Sequence, residues 1–198
     1  MDLYASKGAI NSRLEPLVSR LAAAGVSADS LTLAAVACAV LGAGALFASP
    51  SLPLALLAVP PLALLRLLFN LLDGQVARHT GLSHPRGELL NEVADRLADI
   101  CFIAPVAVLP GAWPQTVWLG LIGALLASYI GVASRAAGGR RIYRGVLSKP
   151  GRMAVLALFA VAVFFVGSGA WWAFGPLLLI GTALTVLERL AIGLRELP

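Results

Sequence analysis

Arg66, Asn70, Asp73 and Arg78 stand in a stretch, RLLFNLLDGQVARHTG at residues 66–81, that otherwise reads as a membrane helix. Helical offsets of three and four residues put Asn70, Asp73, Gly74 and Ala77 on one face. A second polar stripe follows in Gly87, Asn91, Asp95 and Asp99, each four residues from the last. Eight residues separate Arg78 from Gly87, which predicts two antiparallel neighbouring helices with the stripes facing each other. Two carboxylates and two amides brought together in this way form an oxygen-rich site suited to a hard cation, Mg²⁺ or Mn²⁺. Gly74, Ala77 and Gly87 leave room for a large ligand beside the backbone, and Arg78 offers a fixed positive fork to phosphate. The expected ligand is anionic, a metal-bound diphosphate. Taken singly, each residue has an ordinary explanation: charged residues near helix ends snorkel or pair, as Glu92 and Arg96 are expected to do at i,i+4, and glycines serve close helix packing. Six such residues on two adjacent helices point instead to a functional site, because ionisable groups inside a membrane are costly.

The elements that must position these stripes are membrane spans. Of the 198 residues, 59% are hydrophobic and 13% charged, far below the charge content of a soluble domain. Apolar runs predict six spans near 28–48, 53–78, 87–109, 115–137, 152–168 and 173–193, an all-α polytopic membrane protein with no room for a soluble domain. The connections ASPSLP, LPGAWP and GSGAWW, after the odd-numbered spans, carry no charge, whereas all fifteen Lys and Arg lie at or toward the other face. Positive residues mark the cytoplasmic side, so both termini and the polar site are expected to be cytoplasmic, in a cell (plasma) membrane. Trp113, Trp118, Trp171 and Trp172 are expected in the headgroup layer of the opposite face. Residues 1–26 form an N-terminal juxtamembrane segment and 27–198 the membrane domain. In the former, Ile10, Leu14, Leu17, Val18 and Leu21 recur at helical spacing beside Arg13 and Arg20, which suits an amphipathic helix on the membrane surface or one packed on the bundle. SADS, residues 27–30, supplies cap residues for the first span. Cys38 and Cys101 lie in apolar segments without metal-ligand spacing and read as core filler.

Written out, residues 70–95 read N-x2-D-G-x2-A-R-x8-G-x3-N-x3-D. This resembles the signature of the CDP-alcohol phosphotransferases, D-x2-D-G-x2-A-R-x8-G-x3-D-x3-D, with every spacing kept. The topology of six spans and an N-terminal surface helix is also similar to that family. The resemblance implies transfer of a phosphatidyl or other substituted phosphate group from CDP-diacylglycerol or a related CDP-alcohol to the hydroxyl of a polar alcohol, phosphorylated or not, with release of CMP in phospholipid synthesis. It implies Mg²⁺ or Mn²⁺ held at positions 70, 73, 91 and 95, here Asn70, Asp73, Asn91 and Asp95, with Asp95 as the general base. Asp73, Gly74, Ala77, Arg78 and Gly87 match positions lining the CDP site. A homodimer is implied as well, and no nucleic acid.

Two positions depart from the signature. Asn70 and Asn91 replace the first and third Asp, and an amide oxygen binds a hard cation without contributing charge, so metal binding should weaken and a two-metal site should be harder to fill. Asp99, one turn further on, either restores negative charge or pairs locally. The segment from Ser128 to Arg152, SYIGVASRAAGGRRIYRGVLSKPGR, resembles the region of phosphatidylinositol phosphate synthases in which R-A-x3-G and a later basic P-x-R bind a phosphorylated acceptor. On that likeness Arg135, Lys149 and Arg152 form the expected acceptor-phosphate pocket, while Arg140, Arg141 and Arg144 serve equally well as topology or headgroup-binding residues. Arg66 is expected on phosphate or on Asp73, and Glu188 with Arg189 as pairing residues in the bundle. The alternative to a working transferase is a weak or inactive relative that binds lipid or nucleotide as a partner subunit. A transporter fits the six spans but not a motif gathered at one membrane face.

Overall fold

A computed structural model describes residues 14–197; Ile10 and Arg13 of the expected surface helix lie outside the described residues. The chain is all-α. Helix α1 (residues 14–23) leads into α2 (Ala28–Ala48), α3 (Val59–His79), α4 (Pro85–Ile103), α5 (Pro114–Ala136), α6 (Lys149–Val166) and α7 (Phe174–Glu196). Three short 3₁₀ turns, Pro53–Ala58, Ala104–Val108 and Ser168–Ala173, sit at or beside the uncharged connections. Pro60 and Pro61 open α3 rather than break it, since a first turn has no need of their missing N–H groups. Pro105 likewise ends the α-geometry of the third span and starts its 3₁₀ extension.

Among the described residues, five helical segments are long and apolar enough to cross a membrane; α4 is not among them because it carries the acidic stripe together with Arg86, Glu88, Glu92 and Arg96. Large apolar side chains such as Leu158 and Phe165 face outward, as a lipid-embedded bundle requires. The chain is an integral membrane protein.

Local signals set the helix ends. Ser27 caps α2, its hydroxyl accepting from the Ser30 N–H at 3.1 Å. His84 caps α4 through Nδ1, which accepts from the Gly87 N–H at 2.9 Å. Helix α1 ends where Gly25 takes φ 74°, letting the Val26 N–H reach back to the Leu21 carbonyl at 3.0 Å.

Packing relies on close approach. Helix α2 lies along both α3 and α4, α3 along α6, and α5 along α7. A Cβ at Gly42 of α2 would fall 2.2 Å from the Phe102 ring of α4, and one at Gly123 of α5 would fall 2.6 Å from Thr182 Oγ1 of α7, so only glycine permits these crossings. Because α2 is the element packed on both, α3 and α4 meet mainly through long side chains, not through the intimate helix pairing their short connection predicts. The space left between them is the site described below.

One expectation changes, and one open alternative is decided. Trp113, Trp118 and Trp172 are exposed as anticipated, but Trp171 is 1% exposed: its 3₁₀ turn points it inward, where it stacks on Phe159 at 6.3 Å and meets Phe174 edge-on at 5.7 Å. Helix α1 docks on the bundle: Val18, 1% exposed, packs with Leu31, Leu72 and Val76. Leu72 and Val76 flank the Asp73 turn, so α1 braces α3 behind the polar stripe. Cys38 and Cys101 are free thiols, Cys38 buried in the bundle. Val18→Asp places a carboxylate without a partner in this seam and is expected to cost on the order of 3 kcal/mol. Thermal unfolding in detergent should show a lowered midpoint for Val18→Asp and little change for Leu17→Asp on the open face; equal midpoints would contradict docking of α1.

Candidate active site

The polar stripes of α3 and α4, with the start of α2, enclose a cleft of about 460 Å³. Asp73, Gly74, Ala77 and Arg78 line it from α3, Gly87, Glu88 and Asn91 from α4, and Asp29 and Thr32 from α2. The motif spacing points to all of these α3 and α4 residues except Glu88; it does not reach Asp29 and Thr32, because nothing in it links residues some forty positions upstream. Thr32 is the second support of the motif: its hydroxyl donates to Asp73 Oδ2 at 2.8 Å, fixing the carboxylate. The other oxygen, Asp73 Oδ1, is buried and makes no hydrogen bond. Gly74 gives the Arg78 guanidinium room to lie back along α3, where a methyl group would stand 3.3 Å from Nη1. At Gly87 a methyl would stand 3.2 Å from the His84 ring and 3.3 Å from Asp29 Oδ1, so the helix start stays open to a ligand.

The four positions of the signature are divided between two environments. Asp73 and Asn91 open onto the cleft; Asn70 and Asp95 do not line it. The Asn70 amide donates to Asn91 Oδ1 at 2.7 Å, and the Asn70 oxygen accepts from Lys149 Nζ at 2.8 Å. The Lys149 ammonium also pairs with Asp95 Oδ2. Asp95 Oδ1 meets Arg66 at 3.4 Å, and Arg96 approaches Oδ2 at 3.8 Å. Arg66, wholly buried, pairs with Asp95 and stands 3.9 Å from Asp99, not with Asp73. Asp99 is held by Arg152 across 53 residues, at 2.6 Å. Glu92 and Arg96 form the expected i,i+4 pair, which Arg141 joins through Glu92.

The three basic residues proposed for an acceptor phosphate do not converge. Arg135 is exposed and pairs with Glu88 at 2.6 Å, Lys149 sits between Asn70 and Asp95, and Arg152, 2% exposed, is committed to Asp99 and to the Leu147 carbonyl at 3.1 Å. Each answers a different carboxylate, the buried Lys149 and Arg152 because a charge in a poorly solvated bundle needs a partner. From the basic α5–α6 loop, the side chain that lines the cleft beside Arg78 is Arg141. Glu188 and Arg189 do not pair with each other. Glu188 binds Arg144 at 2.9 Å, and Arg189 donates to the backbone carbonyls of Ala127, Tyr143 and Arg144. With Thr185, whose hydroxyl accepts from the Leu147 N–H at 2.8 Å, Arg189 ties the α5–α6 loop to α7 and so delivers Lys149 to the centre.

The donor set suits one divalent cation on the cleft side. An unpartnered buried carboxylate oxygen on Asp73 is an incomplete polar contact that a cation completes, and Asn91, whose Oδ1 also accepts from Asn70, lines the same cleft. Among the described residues no group of three or more His, Cys, Asp or Glu converges to hold an ion without such an amide.

If Arg152 is a buried counter-ion of Asp99, removing it strands a carboxylate. Arg152→Met is expected to lower stability by about 3 kcal/mol, and Asp99→Leu added to it should recover most of the loss. Thermal unfolding of the wild type, both single variants and the double variant measures the coupling; strictly additive losses would contradict it.

A family model described as CDP-alcohol phosphatidyltransferase matches residues 26–187. The inner membrane protein YnbA of Escherichia coli is 30% identical over 93% of this chain and 94% of its own. The archaetidylinositol phosphate synthase of Aeropyrum pernix is 30% identical over 73% of this chain and 71% of its own. Crystal structures of the Mycobacterium tuberculosis phosphatidylinositol phosphate synthase share the fold. The form with CDP-DAG bound has a TM-score of 0.73 at 23% identity over 90% of this chain and 92% of that one, and the complex with manganese and citrate has a TM-score of 0.72. The family comprises transferases of substituted phosphate groups that act on CDP-alcohols and alcohol acceptors and use divalent metals such as Mg²⁺ or Mn²⁺. With its motif spacing intact and the match extending over most of its length, the chain belongs to the CDP-alcohol phosphatidyltransferase family.

Proposed function

We propose that the chain transfers a phosphatidyl group from CDP-diacylglycerol, or the corresponding group from a related CDP-alcohol, to the hydroxyl of a polar alcohol, releasing CMP. The observation that carries this reading is the cleft itself. It is lined by the Asp73, Gly74, Ala77, Arg78 and Gly87 of the family motif, with room for a nucleotide diphosphate at the mouth of α4.

In this reading Arg78 and the open backbone at Gly74 and Gly87 seat the CDP diphosphate, while Asp73, steadied by Thr32, and Asn91 supply oxygens to a divalent ion. Such an ion neutralises diphosphate charge and makes CMP a better leaving group. The acceptor oxygen attacks the donor phosphorus, the bond from phosphorus to the CMP oxygen breaks, and the family likeness assigns the acceptor proton to Asp95, which lies behind the cleft lining. Lys149, Arg66 and Arg96 fix the Asp95 carboxylate in place for that step. Arg141, at the cleft, replaces the dispersed trio of Arg135, Lys149 and Arg152 as the side chain placed to meet a charged acceptor.

The site lies at the face richer in Lys and Arg, which supports a cytoplasmic site with both termini on the same side of a plasma membrane, residues 14–26 bracing the domain at that surface. Family likeness supports a homodimer. A second reading, a weak or inactive relative that binds lipid or nucleotide as a partner subunit, is favoured by one observation: three cations already surround Asp95.

Purified protein incubated with CDP-diacylglycerol, Mg²⁺ or Mn²⁺ and a panel of polar alcohols is expected to release CMP, and Asp95→Asn to lower the rate by about 10²-fold or more. Absence of CMP with every alcohol, while CDP-diacylglycerol still binds, would favour the second reading.

A further inference from the structure

Lys149 occupies an unusual place. It comes from the start of α6, 79 residues from Asn70, and its ammonium bridges an amide oxygen and a carboxylate that both belong to the metal-holding signature. The two amides orient around it: the Asn70 oxygen faces the ammonium, and the Asn70 N–H group passes on to Asn91 Oδ1, whose residue faces the cleft. An ammonium is a compact, strongly hydrated point charge with three donors, and it meets oxygen ligands much as a small metal ion does. Arg66 and Arg96 complete the cationic surroundings of Asp95.

Charge gives the same result. Four carboxylates balance two divalent ions. Here Asp73 and Asp95 are the two carboxylates that remain, and with Lys149 and one divalent ion the cluster carries a single uncompensated positive charge, which an anionic diphosphate neutralises. A second divalent ion would raise that excess to three before Arg66 is counted, in surroundings where unpaired charge is costly.

We propose that the Lys149 ammonium is a resident cation that fills the place of one divalent ion, between Asn70 and Asp95, so that this chain holds one exchangeable divalent ion, at Asp73 and Asn91. The two Asn substitutions are then the counterpart of Lys149, not erosion of the site. The proposal rests on the transferase reading only for the place of the ion; its test reads metal directly.

Mn²⁺ titration of the purified full-length protein, with free Mn²⁺ followed by electron paramagnetic resonance, is expected to give one ion per chain. The Asn70→Asp/Asn91→Asp/Lys149→Met variant, checked for a monodisperse elution profile, should take up two. Two ions or none in the wild type would overturn the proposal, as would one ion in a well-folded triple variant. If the triple variant does not fold, the wild-type stoichiometry alone decides. CMP release, measured on the same preparation, separates the two ideas: two ions with CMP release sink the resident-cation role and leave transfer standing, whereas one ion without CMP release does the reverse.

Discussion

The contact between the Lys149 ammonium and the Asp95 carboxylate is the constraint around which the rest of the bundle is arranged. A buried carboxylate within the bundle needs a partner, and this one is met by cations from α3, α4 and α6 at once. The same logic extends one turn deeper, where Asp99, Arg66 and Arg152 form a second buried group. These pairs join helices that glycine-mediated packing alone would leave free to slide. They also set which oxygens stay available, so that Asp73 and Asn91 face the cleft while Asn70 and Asp95 face the interior.

Supporting elements act through this arrangement. Helix α2 contributes Thr32 to Asp73 and packs against both motif helices, which holds the cleft open at a fixed width. Helix α1 closes the back of the Asp73 turn with Val18. Helix α7 lies away from the cleft, yet Arg189 and Thr185 determine where the α5–α6 loop enters α6 and hence where Lys149 points. A buried arginine satisfied by three backbone carbonyls is a structural clamp whose charge is dispersed over dipoles instead of a carboxylate.

Much of this was legible in the residues. Helical periodicity placed the spans, the Ser27 cap and the two facing stripes, because apolar length and i,i+4 spacing are local properties. The motif spacing carried the family and the cleft-lining residues of α3 and α4. What escaped were the contacts made by the α5–α6 loop, the start of α6 and α2. A basic P-x-R stretch signals phosphate as readily as it signals a buried counter-ion; the packing of α6 on α3 assigns Lys149 to Asn70, and Arg152 reaches Asp99 of α4 through its long side chain. Trp171 escaped for the opposite reason: two adjacent tryptophans look alike in sequence, and the 3₁₀ turn that separates their directions is set by the aromatic cluster it fills.

The proposed site is divided, with a protein-borne cation in one half and an exchangeable ion in the other. Anomalous diffraction at the manganese edge, from crystals of the full chain grown with Mn²⁺ and CDP-diacylglycerol, tests this most directly. One anomalous peak is expected, beside Asp73 and Asn91, with the Lys149 ammonium still between Asn70 and Asp95. A second peak between Asn70 and Asp95, with Lys149 displaced, would contradict it.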